Sequence, residues 1–207
     1  MIRMLFFDFD GVLTTDFNGT GTICEYLSKE VTGSSVEAVT ACYEKHCNRL
    51  LLGGRFTDVW DDFCSCMEQK ISPDVLRQAL RTIPVNEAML EVVQSLSTMY
   101  RLGMITDNPE ERMDLLNEDL HLTDLFDPIV VSAMVHALKH DGTTAIFDAA
   151  LRAADCQPQE AVFIDNQERN LSTPAKMGMH TYWHDDKKND IPSLLDALQK
   201  LGVKTGK

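Results

Sequence analysis

The stretch "MLFFDFDGVLTTD", Met4 to Asp16, decides the fold. Met4, Leu5, Phe6 and Phe7 run straight into Asp8 and Asp10, with only Phe9 between the two carboxylates. A short run that is apolar at every position predicts a strand buried on both faces. Residues i and i+2 of a strand point to the same side, so Asp8 and Asp10 leave that strand toward one region. At a separation of roughly 7 Å and an effective dielectric near ~20, their repulsion is about 2 kcal/mol. A cation, a shared proton or open solvent must offset it.

Downstream of this strand the texture changes. "GTICEYLSKEV", "SVEAVTACYEKHCNRLLL", "TDVWDDFCSCMEQ" and "SPDVLRQALRTI" carry apolar residues at three- and four-residue spacing, which predicts consecutive helices. Thr57 and Ser72 are the candidate N-caps. From Pro84 onward helix and strand alternate. Helices are predicted in "NEAMLEVVQSLSTM", "PEERMDLLNEDL", "TTAIFDAALRAA", "NLSTPAKMG" and "IPSLLDALQKLG", and strands in "RLGMIT", "DPIVVS", "EAVFID" and "MHTYWH". Such alternation predicts an α/β protein with a mainly parallel sheet covered on both faces. An α/β domain, residues 1–15 and 84–207, is therefore expected to be interrupted after its first strand by an all-helical insertion, residues 16–83.

The chain has 207 residues, 44% hydrophobic and 25% charged, ordinary values for a globular protein. Its formal charge of −13 argues against nucleic acid or an anionic membrane as the main partner. An anionic substrate must then be captured by local cations. No apolar run approaches a membrane span and nothing resembles a signal peptide, so a cytoplasmic protein with buried, reduced cysteines is expected. A monomer or homodimer fits this size.

In open α/β sheets, ligands bind beyond the carboxyl ends of the strands. Those ends collect Asp8 and Asp10, then Thr106, Asp107 and Asn108, then Asp165 and Asn166, with Lys139 in the loop after "DPIVVS". Carboxylate oxygens on one rim suit Mg²⁺, a hard cation that takes few protein ligands and keeps room for water and phosphate.

This set resembles the haloacid dehalogenase-like superfamily of aspartate-nucleophile hydrolases. "DFDGVLT" is similar to its first motif, "MITDN" to the second, Lys139 in "HALKHDG" to the third and "FIDNQERN" to the fourth. "LLLGGRFTDVWDDF" resembles the helical caps of the family. The resemblance implies a Rossmann-like core carrying an inserted helical cap, and an Mg²⁺-dependent phosphomonoester hydrolase acting on a small phosphorylated metabolite. It implies that Asp8 attacks phosphorus, that Asp10 serves as general acid and base, and that Thr106 and Lys139 bind the phosphoryl oxygens. It further implies a metal held by Asp8, the Asp10 carbonyl and an acid of the fourth motif, where Asp165 and Asn166 are the candidates. Asp10 favours phosphoryl over carbon–halogen chemistry, because a halide leaves without a proton.

The pattern departs from the family in places. Asn166 stands where a second acid is common, and Asp107 where Asn or Ser is frequent. His140 replaces the Pro that often follows the third-motif Lys, so Arg112 and Lys176 are alternative cations. Asp107 and Asn108, together with Arg49 and Arg55 of the cap, are the candidate substrate contacts. A phosphomutase on the same rim, or a binding module of this fold with weak or lost turnover, is the competing reading.

Overall fold

The computed structural model describes residues 1–31 and 33–205. The sequence forms β1 (Met4–Phe7), then four helices, α1 (Thr20–Glu30), α2 (Val36–Cys47), α3 (Trp60–Cys66) and α4 (Pro73–Arg81). There follow α5 (Glu87–Ser97), β2 (Arg101–Thr106), α6 (Glu110–Leu120), β3 (Ile129–Val131), α7 (Ser132–Val135), α8 (Ala145–Ala154), β4 (Ala161–Asp165), α9 (Glu168–Met177), β5 (His180–Trp183) and α10 (Ile191–Lys200).

The five strands are parallel in the order β3-β2-β1-β4-β5. β1 is central, and its residues explain why. Leu5 and Phe7 enter the cluster on one face with Met89, Val93, Met104 and Leu194. Met4 and Phe6 enter the cluster on the other face with Ile146, Phe147 and Phe163. A strand with both faces buried can carry no polar residue until it leaves the sheet, which it does at Asp8. The chain turns from one side of β1 to the other between β3 and β4, so the exit of β1 lies at a topological switch point of this Rossmann-like sheet.

The helices α1 to α4 enclose a separate apolar cluster, which includes Leu27, Val39, Phe63, Leu76 and Leu80 and borrows Leu115 from α6. The two crossings between this helical segment and the sheet run side by side. Thr14 bridges Val85 antiparallel, Thr15 N–H donates to Pro84 O at 2.8 Å, and Asn86 N–H donates to Leu13 O at 3.0 Å. Asn86 also caps α5 through Met89 N–H and donates to Val12 O and Asn189 Oδ1, both at 2.9 Å.

Three details differ from the sequence reading. Ser72 caps α4, but Thr57 lies inside a 3₁₀ turn, Phe56–Asp58, and Val59 precedes α3. The four-residue helix α7 was not foreseen, being too short to show a period. The expectation of uniformly reduced cysteines is overturned: α2 packs on α3, and Cys42 and Cys66 form a disulfide with Cα atoms 5.9 Å apart. Cys24, Cys47, Cys64 and Cys156 are free. Among the described residues no helix is long and apolar enough to cross a membrane.

Candidate active site

Asp8 is the first residue beyond β1, and Phe9 N–H donates to its Oδ1 at 2.7 Å. Its Oδ2 lies 2.7 Å from Lys139 Nζ, which reaches Asp165 Oδ2 at the same distance. All three groups are buried. Burial pushes the Asp8 carboxyl well above the usual carboxylate range, outweighing the opposing pull of the Lys139 ammonium. For Lys139 burial works downward, but Asp165, Asp8 and Asp107 together carry its pKa upward, so it stays a cation. Asp107 Oδ1 accepts from Lys139 N–H at 3.1 Å and holds the loop after α7. Burial raises the Asp107 carboxyl as well.

Asp10 meets a different cation. Arg112, on α6 and 2% exposed, places Nη1 2.7 Å from Asp10 Oδ2 and Nη2 2.9 Å from Asp10 Oδ1. Asn108 Nδ2 donates to Asp10 Oδ2 at 3.0 Å and to Thr106 Oγ1 at 2.7 Å. With that lone pair occupied, the Thr106 hydroxyl hydrogen is free to donate elsewhere.

Asp8, Asp10, Thr106, Asp107, Asn108, Arg112 and Lys139 all line one cavity of about 170 Å³. Its roof comes from the helical segment, with Tyr43, Glu44 and Cys47 on α2 and Asn48 and Leu51 in the 3₁₀ turn Asn48–Leu52. The roof is pinned to the sheet domain. Ser132 Oγ donates to Leu51 O at 2.7 Å, and His136 Nδ1 pairs with Leu52 O at 2.8 Å. Phe56 N–H donates to Glu111 Oε2 at 2.5 Å, and Arg81 joins Glu118 and Asp119 of α6.

Arg49 and Arg55, expected to contact substrate, do not line this cavity. Arg49 donates to Asp58 O at 2.7 Å, and Arg55 pairs with Glu111 at 3.6 Å. Both cations are spent on backbone and on the seam with α6. Lys176 is exposed in the last turn of α9 and takes no part. The sequence offers Arg112 only as a stand-in for Lys139; its partner Asp10 is 102 positions away, and no local pattern announces that pairing.

Of the expected metal ligands, Asp165 is 0% exposed and tied to Lys139, Gln167 N–H and Asn170 Nδ2, so it braces the lysine and does not line the cavity. Asn166 sends Nδ2 to Phe17 O at 3.0 Å, while its buried Oδ1 has no hydrogen-bond partner. The amide lies against the first loop at Gly11 (φ 76), where any Cβ would fall 2.0 Å from Asn166 Nδ2. Among the described residues no three or more His, Cys, Asp or Glu side chains form a metal cage. Asn166 does not line the cavity either, but its Oδ1 is a buried oxygen without a partner; with the Asp8 carboxylate and the Asp10 carbonyl it makes an all-oxygen donor set whose chemistry fits Mg²⁺. Burial penalises the ionised forms of Asp8 and Asp107, a cost that a divalent cation beside them would offset.

Comparison with known proteins places this geometry. Over 93–96% of its length the chain superposes on several solved structures. A predicted HAD-like family hydrolase from Porphyromonas gingivalis gives a TM-score of 0.74 at 20% identity, covering 96% of this chain and 98% of that one. A HAD family enzyme from Bacteroides thetaiotaomicron, crystallised with magnesium and inorganic phosphate, gives 0.74 at 17% identity, covering 93% and 99%. An L-2-haloacid dehalogenase gives 0.71 at 16% identity, covering 96% and 99%. No curated protein matches. The family model for haloacid dehalogenase-like hydrolases matches residues 5–184, from β1 to the end of β5. The chain belongs to the haloacid dehalogenase-like hydrolases.

Proposed function

We propose that the protein is an Mg²⁺-dependent phosphomonoester hydrolase acting on a small organic phosphate through an aspartyl-phosphate on Asp8. The observation that carries this reading is the pair of differently partnered acids facing one small, roofed cavity: Asp8 on Lys139, Asp10 on Arg112. A halide leaving group has no use for the second acid, whereas an alkoxide needs its proton.

Asp8 attacks phosphorus, and the bond to the leaving oxygen breaks as Asp10 supplies a proton. Water then attacks the acyl phosphate, Asp10 takes back a proton, and phosphate leaves. Lys139 commits two N–H groups to Asp8 and Asp165, leaving the third for a phosphoryl oxygen. Thr106 Oγ1 accepts from Asn108 and so turns its own hydrogen toward the same charge. The roof over the cavity excludes bulk water during transfer. Asp8, Asn166 and the Asp10 carbonyl would hold Mg²⁺, which supplies charge neutralisation that lets one anion approach another.

The test is phosphate release from a panel of phosphomonoesters with and without chelator, run beside halide release from 2-haloacids. Activity on at least one ester that disappears with chelator and in Asp8→Asn supports the reading. Halide release without metal would replace it by dehalogenation.

A further inference from the structure

We propose that Arg112 is the positioning residue for Asp10, fixing that carboxylate so that its Oδ1 carries the proton of the reaction; the inference rests on the phosphatase reading. The guanidinium is 2% exposed and grips both oxygens of Asp10, at 2.7 and 2.9 Å. Its Nη1 also meets Asn108 Oδ1 at 2.5 Å, and it stands 5.7 Å from the Phe9 ring centroid. Its Nε is buried without a partner. Leaving a buried donor unsatisfied is unfavourable, so the side chain is placed by its grip on Asp10 and Asn108 at the expense of its own Nε.

The donors divide unequally. Asp10 Oδ2 receives Arg112 Nη1 and Asn108 Nδ2, while Oδ1 receives Arg112 Nη2 alone. A carboxylate oxygen offers two lone pairs, so Oδ2 is saturated and Oδ1 keeps one open. Gly19, just before α1, packs closely on the pair: a Cβ there would lie 2.8 Å from Asp10 Oδ1 and 2.7 Å from both Arg112 Nη atoms. The proton on Oδ1 passes to the leaving oxygen as its bond to phosphorus breaks. Oδ1 then accepts the proton of the water that attacks the acyl phosphate, which restores the starting state.

The experiment compares wild type, Arg112→Met, Asp10→Asn and the double variant on propyl phosphate and p-nitrophenyl phosphate. The readout is kcat/KM, which covers steps only through departure of the leaving group. An alkoxide needs the positioned acid and nitrophenolate does not. Arg112→Met should therefore lower kcat/KM about a hundredfold for propyl phosphate and less than about tenfold for the nitrophenyl ester. In the Asp10→Asn background it should remove nothing further. Equal losses on both esters, or losses that add to those of Asp10→Asn, overturn the proposal. Should Arg112→Met fail to fold, Arg112→Gln is read by the same ratio between esters. Should wild type hydrolyse neither ester, the phosphatase reading is judged on the wider panel and crystal structures decide the positioning role. Asp10 turned from the cavity in the variant upholds it, and Asp10 unmoved overturns it.

Discussion

Lys139 Nζ lies 2.7 Å from Asp8 Oδ2 in a site where neither side chain is more than 5% exposed. The same ammonium braces Asp165, so one cation stands between two buried carboxylates. Replacing it with an apolar side chain leaves both carboxylates without a cation, held by hydrogen bonds from Phe9 N–H, Gln167 N–H and Asn170 Nδ2. Lys139→Met should lower unfolding free energy by about 3–5 kcal/mol, measured by urea denaturation. Adding Asp165→Asn should recover part of that loss, since one of the stranded charges is then gone.

Gly19 has φ 73 and no room for a methyl group beside Arg112 and Asp10. Gly19→Ala must shift either α1 or the ion pair. We expect stability to fall by about 1 kcal/mol from the backbone conformation alone. Turnover of alkyl phosphates should fall further than stability explains, as shown by kcat/KM at a temperature where the variant remains folded.

The Cys42–Cys66 disulfide closes a loop with a sequence separation of 24 inside the helical segment. Its reduction should cost about 3 kcal/mol and lower the melting temperature of that segment before the sheet domain. Alkylation of the unfolded, unreduced chain should label four cysteines, and labelling after reduction should reach all six. Six labels before reduction would refute the pairing.

His184 is buried beside Asn189, with Nε2 3.1 Å from Asn189 Oδ1. Burial lowers its pKa below 6.5, against a smaller upward pull from the Asn189 hydrogen bond. The unfolded chain therefore binds this proton first as pH falls. The contribution of His184 to stability is whole above pH ~6.5 and declines below it until the folded-state pKa is passed. Urea midpoints between pH 8 and 5 should show that decline, and His184→Gln should flatten it.

Much of this molecule is written locally. The buried strand before Asp8 and the strand–helix alternation after Pro84 reveal the sheet because burial on two faces leaves short unbroken apolar runs, set off from helices with their three- and four-residue spacing. The spacing of Asp8, Thr106, Lys139 and Asp165 then places four groups near one rim. What escapes such reading is long-range and orientational. Arg112 finds Asp10, and Cys42 finds Cys66, only once helices have packed. Arg49 and Arg55 sit on the segment that roofs the cavity, yet Arg49 donates to Asp58 O and Arg55 pairs with Glu111. In this arrangement neither guanidinium lines the cavity, and which way such long side chains turn is set by packing that no local pattern records.

The Thr14–Val85 bridge has a consequence for how such molecules diversify. Because entry and exit of the helical segment are stitched to each other, its remaining ties to the sheet side are side-chain contacts along α6 and α7 that a different insertion could replace. A different insertion at that junction would inherit the sheet and the strand tips that carry Asp8 and Asp10, and would bring a new roof. Substrate preference and chemistry can therefore drift independently, one by exchange of modules and the other by point change at the strand tips.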